Sequence, residues 1–344
     1  MNRPRSGRGF SLVELLVAVG VIAVLVAIAL PVLAGARRAA RATVCAANLQ
    51  QLGVATSVYA GDERDQIWAL TWRRGNEHSD YRRLHRPGST RVALGDQVID
   101  AIRRKDYEAM PALSRWPTLG WAPTGVFSHV TLIDYLGGRF PLPATHCPED
   151  RERLLTAGDP QAYRRGEVTG RVPEDNDLLY AYASTYTPVP ASYDPNQSLG
   201  VRSRETRLGS PASRRMFNTS FWGYEWAEDR ILTNARGAKA GGLRLDHVAQ
   251  PSAKVHVYDH ADRHSQSEAR HYALPGARQP LLFFDASVRT LSIDDANVGW
   301  KPNDPNDPDG ARFPLSRNDP TLYHARFRWT RSGMQGVDYA GADG

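Results

Sequence analysis

Five of the ten histidines in this 344-residue chain fall between His247 and His271, with Asp246, Asp259, Asp262 and Asp285 close by. Imidazole and carboxylate at that density form a donor set suited to a metal-dependent hydrolytic site. His256, His260 and His264 are spaced by four, which would stack them on one face of a helix. The stretch Lys254-Val255-His256-Val257-Tyr258-Asp259 alternates like a half-buried strand, however, and a strand spoils that alignment. Solvated loop histidines are the plainer reading. A second oxygen-rich stretch, Asn303 to Gly310, offers Asp304, Asp307 and Asp309 as donors for Ca²⁺. Pro305 and Pro308 restrict its turn, and the twelve-residue loop closed by a bidentate Glu is missing. A polar Pro–Asp turn competes with the Ca²⁺ reading, so no metal site is assigned and Ca²⁺ is the one cofactor left open. The remaining conspicuous group is Glu14, the only ionisable side chain from Phe10 to Ala36.

Other chemistries lack their signatures. There is no G-x-S-x-G, no P-loop, no dinucleotide fingerprint and no H-E-x-x-H. The expectation is a protein that is not an enzyme. Of 43 basic residues only four are Lys, and the formal charge is +6. That skew toward Arg fits codon bias, and Arg82, Arg83, Arg86 and Arg91 are scattered among Tyr, His, Pro and Gly. No nucleic-acid partner is expected.

The element that holds Glu14 is the longest apolar stretch of the chain. From Leu15 to Ala36 there are 22 residues without an ionisable group. At about 1.5 Å per residue they reach roughly 33 Å, the thickness of a bilayer's hydrocarbon core. A lone carboxylate at the start of such a segment is expensive in lipid and needs a partner or a purpose. The amphipathic pattern continues beyond Pro31: Val44, Leu52, Ala55, Val58 and Tyr59 recur at steps of three to four, with Gln50, Gln51 and Thr56 on other faces. One helix from Phe10 to Ala60 is predicted, about 75 Å long, with a kink at Pro31. Two other readings exist. One is an ordinary signal peptide cut after Ala34-Gly35-Ala36. The other is a plain single-pass anchor, which would not require Glu14. Arg3, Arg5 and Arg8 before the segment balance Arg37, Arg38 and Arg41 after it, so flanking charge does not set orientation.

The run Gly9-Phe10-Ser11-Leu12-Val13-Glu14-Leu15-Leu16, the apolar stretch and Pro31 resemble the amino terminus of type IV prepilins and type II secretion pseudopilins. The resemblance implies a basic leader cut between Gly9 and Phe10 by prepilin peptidase, and N-methylation of Phe10 by the same peptidase/methyltransferase. It implies that Glu14 pairs with the amino terminus of a neighbouring subunit. Buried opposite charges are tolerated when paired and costly when separated, so such a pair would enforce register. It also implies partners of the same pilin-like kind and a single-pass protein of the cytoplasmic membrane. The C-terminal domain would then be extracytoplasmic, in the periplasm or at the cell surface when assembled. Cutting the leader lowers the charge to about +3 by removing three arginines.

Further blocks resemble the long pilin-like proteins whose C-terminal motif is written H-X9-DG. These are Cys45-Ala46-Ala47-Asn48-Leu49-Gln50-Gln51-Leu52-Gly53, Leu132 to Gly137, Cys147-Pro148-Glu149-Asp150, Pro251 to Val255, and Leu281 to Val288. The sequence departs from that family at the motif itself. Ala286 stands where Gly follows the aspartate, Ser287 where His is common, and thirteen residues separate His271 from Asp285. A two-residue Asp-Gly hairpin needs positive φ that Ala tolerates poorly, so another or longer turn is expected. The two cysteines, Cys45 and Cys147, form a reasonable disulfide in a translocated domain, with two buried free thiols as the alternative.

The fold class expected is therefore α+β and type IV pilin-like, a long N-terminal helix packed on an antiparallel sheet with long loops. The segments are a leader 1–9, a membrane or filament-core half-helix 10–36, an amphipathic half-helix 37–60 and a globular domain 61–344. Within the domain, strands are expected over Leu178–Tyr186 and Lys254–Asp259 and a hairpin over Leu281–Ile293. The segments 64–91, 156–177, 194–215 and 301–320 read as surface loops. The function expected is a structural subunit of a type IV pilus-like or type II secretion pseudopilus filament. The alternative is a membrane-anchored binding or secretion-linked protein that uses the signal without building a filament. The size of the domain favours that alternative somewhat, and an anchored metal-dependent hydrolase is a third class.

Overall fold

The computed structural model describes residues 11–81, 84, 87–88, 90–106, 125–168, 175–193, 241–266, 268–299, 312–313, 321–330 and 333–339. Gly9, Phe10 and the Asp304–Asp307–Asp309 loop lie outside the described residues.

Ser11 starts the first helix because its hydroxyl accepts from the Glu14 amide at 3.2 Å while Glu14 Oε2 accepts from the Ser11 amide at 2.9 Å. This capping box satisfies two amides that a helix start leaves open. Helix α1 (Leu12–Asp62) runs for 51 residues, unbroken through Pro31. Its buried positions are Cys45, Asn48, Leu49, Leu52, Gly53, Ala55, Thr56 and Ala60. The face is rotated by about one residue from the sequence pattern. Val44 and Val58 are exposed, and Thr56, which the pattern put on another face, is buried. Small and hydrogen-bonding side chains explain the rotation. A Cβ at Gly53 would come within 3.0 Å of Leu282 Cδ1, and Thr56 Oγ1 accepts from Trp68 Nε1 at 2.8 Å.

Helix α2 (Thr90–Lys105) follows, then α3 (Arg151–Gly158) and α4 (Pro160–Arg164). The sequence reading missed α2, although Leu94, Val98 and Ile102 recur at steps of four and all are buried. It also placed a surface loop from 156, where α3 ends and α4 lies. Asp159 opens α4 by accepting from the Ala162 amide at 2.8 Å, with Pro160 at the first helical position. The strand expected over Leu178–Tyr186 is a 3₁₀ helix over Asp175–Tyr182, and β1 covers only Tyr186–Pro188. The strand is an edge strand ended by a proline, which has no amide to donate to a ladder.

Strand β2 is Val255–Asp259, and β3 (Ala261–Asp262) pairs with β4 (Arg270–His271) as a short ribbon. Strands β5 (Arg278–Phe283) and β6 (Val288–Ser292) form the expected hairpin, and β7 (Arg312–Phe313) pairs with β8 (Tyr323–His324). The central sheet is antiparallel in the order β1-β2-β5-β6. All five residues of β2 are buried, whereas the sequence predicts one solvated face. An irregularity between Val255 and Val257 lets Val255 pair with Phe283 and Val257 with Leu282. Val257 and Leu282 pack with Leu49, Leu52 and Tyr186 under α1. Val255, Leu281 and Phe283 pack with Tyr272, Phe327, Met334 and Tyr339 on the other side. The strand is covered twice, which removes the alternation. Among the described residues the architecture is α+β: a long apolar N-terminal helix on a domain with an antiparallel sheet.

Candidate functional site: a bare helical shaft and its anchorage

Above the domain, no other element among the described residues covers α1. Every large apolar side chain from Leu12 to Leu33 is between 47% and 79% exposed. An apolar surface of that length is far beyond what a soluble monomer leaves in water. The helix is long and apolar enough to cross a membrane by length and composition. Glu14 sits at its start, outside the domain, held by Ser11.

The lower half of α1 is fastened by several distinct contacts. Cys45 and Cys147 form a disulfide, with Cα atoms 5.2 Å apart, across a sequence separation of 102. Closing a loop of that length stabilises by about 4.7 kcal/mol on the chain-entropy account. Asn48 Nδ2 donates to His146 O at 2.7 Å, and Arg41 pairs with Glu149 at 2.8 Å. Gln50 Nε2 donates to Ala286 O at 3.2 Å, tying the helix to the β5–β6 turn. The C-x-x-N-L-x-Q-L-G block is therefore the docking face, with Cys45, Asn48, Leu49 and Leu52 inward.

The β5–β6 turn is a three-residue loop, longer than a two-residue Asp-Gly hairpin. The Ala286 amide donates to Phe283 O at 3.0 Å, and the Phe283 amide to Ser287 O at 2.9 Å. Ala286 takes φ +64°, the left-handed position where a glycine is favoured. Asp285 Oδ1 accepts from the Ser287 amide at 2.9 Å and from its hydroxyl at 2.6 Å. Asp285 builds the turn.

The three histidines spaced by four do not converge. His256 lies in the core, stacked on Phe284 at 4.2 Å and tilted against Trp68 at 5.5 Å. Burial pushes its imidazole down to about 3, so it is neutral. His260 packs against Tyr258 and Tyr272, and His271 against Tyr272. His264 alone reaches a sulfur centre: its Nε2 is 3.1 Å from Cys45 Sγ and 3.3 Å from Cys147 Sγ. Nothing in the sequence signals this meeting, because Cys147 and His264 lie 117 positions apart.

Two further buried charges are structural. Lys254 lies 3.1 Å from Asp338 Oδ2, both contact Thr330, and Asp338 Oδ2 also accepts from the Val255 amide at 2.9 Å. Burial pushes the lysine down and the aspartate up, and the charge of each opposes the shift of the other. The pair ties the segment around Asp338 to β2. In α2, Asp96 is buried with no hydrogen-bond partner for Oδ2 among the described residues, and burial pushes it up to about 7.

A family model described as the prokaryotic N-terminal methylation motif matches residues 4–30. No curated protein and no solved structure matches the chain. The match spans residues 4–9 of the basic leader, Glu14 and most of the bare shaft. The chain is thus prepilin-like at its amino end and carries a type IV prepilin signal. Such a signal implies processing by a peptidase and association with a membrane.

Proposed function

We propose that this chain is a structural subunit of a type IV pilus-like or type II secretion pseudopilus filament. Prepilin peptidase cuts between Gly9 and Phe10, and Phe10 is N-methylated. The observation that carries the reading is the conjunction of the matched methylation motif with an uncovered apolar shaft that begins at Glu14. Such a shaft needs two successive environments. Lipid covers it before assembly, and the shafts of other copies cover it afterwards. Covering each valine or leucine is worth about 1.5–3 kcal/mol against water, which keeps the shaft in lipid. Between lipid and bundle that gain cancels, so lateral packing rests on close van der Waals contact between shafts and on Glu14. Glu14 sets the register: in a bundle its carboxylate meets the amino terminus of a neighbouring Phe10, and a misplaced copy leaves a buried charge unpaired. The domain lies outside the cytoplasmic membrane, an environment that keeps Cys45–Cys147 oxidised.

The test is filament recovery from the native host. Wild-type chain is expected in the sheared surface fraction as filaments visible by electron microscopy. Glu14→Ala is expected to be processed yet to stay in the membrane as single subunits. Filaments of normal abundance from Glu14→Ala would contradict the assembly role. The size of the domain supports a second reading, an anchored binding or secretion-linked protein. Wild-type chain that is processed but never assembled would favour it.

A further inference from the structure

Among the described residues, Cys45, Cys147 and His264 place one ligand atom each within 4.8 Å of one another. We infer that these three residues are a zinc site in the dithiol form of the protein, mutually exclusive with the disulfide. The donor set is two thiolates and one imidazole, which suits a borderline-soft divalent cation. Zn–S bonds of about 2.3 Å and a Zn–N bond of about 2.0 Å with tetrahedral angles put sulfur and nitrogen about 3.5 Å apart. The observed 3.1 Å and 3.3 Å from His264 Nε2 lie close to that spacing. Both sulfur-bearing residues are 1% exposed, so a net charge left at the site is costly. Two thiolates with Zn²⁺ and neutral imidazole sum to zero, whereas Cu⁺ leaves −1.

The loop is built to present that ring. Asp262 is fully buried, and its Oδ1 accepts from the amides of His264 at 3.3 Å and Ser265 at 3.0 Å. Its Oδ2 takes Arg270 Nε at 3.3 Å and the Arg278 amide at 3.0 Å. His264 Nδ1 is buried without a hydrogen-bond partner among the described residues. The ring is therefore directed by the loop and faces the two sulfurs.

Interconversion balances with a dithiol reductant. The reductant's two thiols break the Cys45–Cys147 bond, become a disulfide themselves, and leave their two protons on Cys45 and Cys147. Zn²⁺ then displaces those two protons. A disulfide oxidant reverses the step, taking two electrons and two protons to become two thiols while the Cys45–Cys147 bond re-forms and the ion is released. Every copy passes through the dithiol form, since the bridge forms only after synthesis in an oxidising compartment.

The experiment uses the full chain in detergent, oxidised or reduced with a dithiol that is then removed. It is titrated with Co²⁺ and afterwards with Zn²⁺. The reduced chain is expected to take up one equivalent of Co²⁺ with a thiolate-to-cobalt charge-transfer band that Zn²⁺ abolishes, and the oxidised chain none. His264→Ala, which still forms the disulfide, is expected to bind at least about 100-fold more weakly after reduction. If reduction unfolds the chain, Zn²⁺ is expected to restore its far-ultraviolet circular dichroism in the wild type and not in His264→Ala. A reduced chain without the band that Zn²⁺ also fails to refold would overturn the inference. A band or a refolding of equal strength in His264→Ala would do the same.

Discussion

Ala286 holds a backbone conformation that a Cβ disfavours by roughly 1–2 kcal/mol, so Ala286→Gly is expected to stabilise the domain. Part of that gain is offset by the freer unfolded chain, leaving about 0.5–1 kcal/mol, readable as a shift in urea midpoint at constant slope. A lower midpoint would mean that the methyl group, which faces Gly53, contributes more by packing than it costs in strain. Two other residues set opposite pH responses. His256 is held neutral at about 3 against an ordinary 6.5, so its contribution is present above about pH 6.5 and is lost as pH falls toward 3. Asp96 is held protonated, at about 7, so its contribution is present below about pH 4 and is lost as pH rises through 7. In denaturation series across pH, His256→Phe is expected to flatten the acid limb and Asp96→Asn the limb up to neutrality. Unchanged limbs would remove these groups from the account. At this scale the sequence was partly legible. The missing glycine pointed to a different turn, and the loop at Ala286 is longer than two residues. The His256–His260–His264 spacing pointed nowhere, because strands and not a helix carry this segment and each ring enters a different environment.

Among the elements, α1 was the most legible, since a long apolar run followed by an amphipathic one has few other solutions. Its docking face was misread by about one residue because Gly53 and Thr56 are inward for reasons hydropathy does not register. One needs a close approach and the other a bond to Trp68. Gly53→Val is therefore expected to push α1 off Leu282 and destabilise by about 1–3 kcal/mol. An unchanged unfolding midpoint would mean that the sheet yields there. The β5–β6 hairpin was legible from alternation, whereas β2 was not read as two-sided because its second cover comes from residues around Phe327 and Tyr339, some 70 positions onward. Lys254, next to β2, holds that cover through Asp338. Lys254→Met leaves Asp338 buried without its cation and is expected to cost about 3–5 kcal/mol in the same assay. A loss below 1 kcal/mol would mean that Thr330 and the Val255 amide suffice for the carboxylate.

For the whole molecule, the decisive contrast lies between a domain that satisfies itself and a shaft that does not. The domain buries its apolar residues on both faces of the sheet and closes α1 onto itself through Cys45 and Cys147. The shaft exposes its apolar residues on every side and begins with a capped carboxylate. That contrast was legible from composition alone, because no other stretch of the chain is free of ionisable groups for so long. The irregular domain was less so, since its 3₁₀ helices and short strands are set by distant contacts. The central claim is that the shaft starts, in the mature protein, at Phe10. The most direct measurement is mass spectrometry of the amino terminus of the chain isolated from its native membrane fraction. The account predicts a mature chain that begins with N-methylated Phe10. A chain that begins at Arg37, directly after Ala34-Gly35-Ala36, would contradict it and reduce the shaft to a discarded signal peptide.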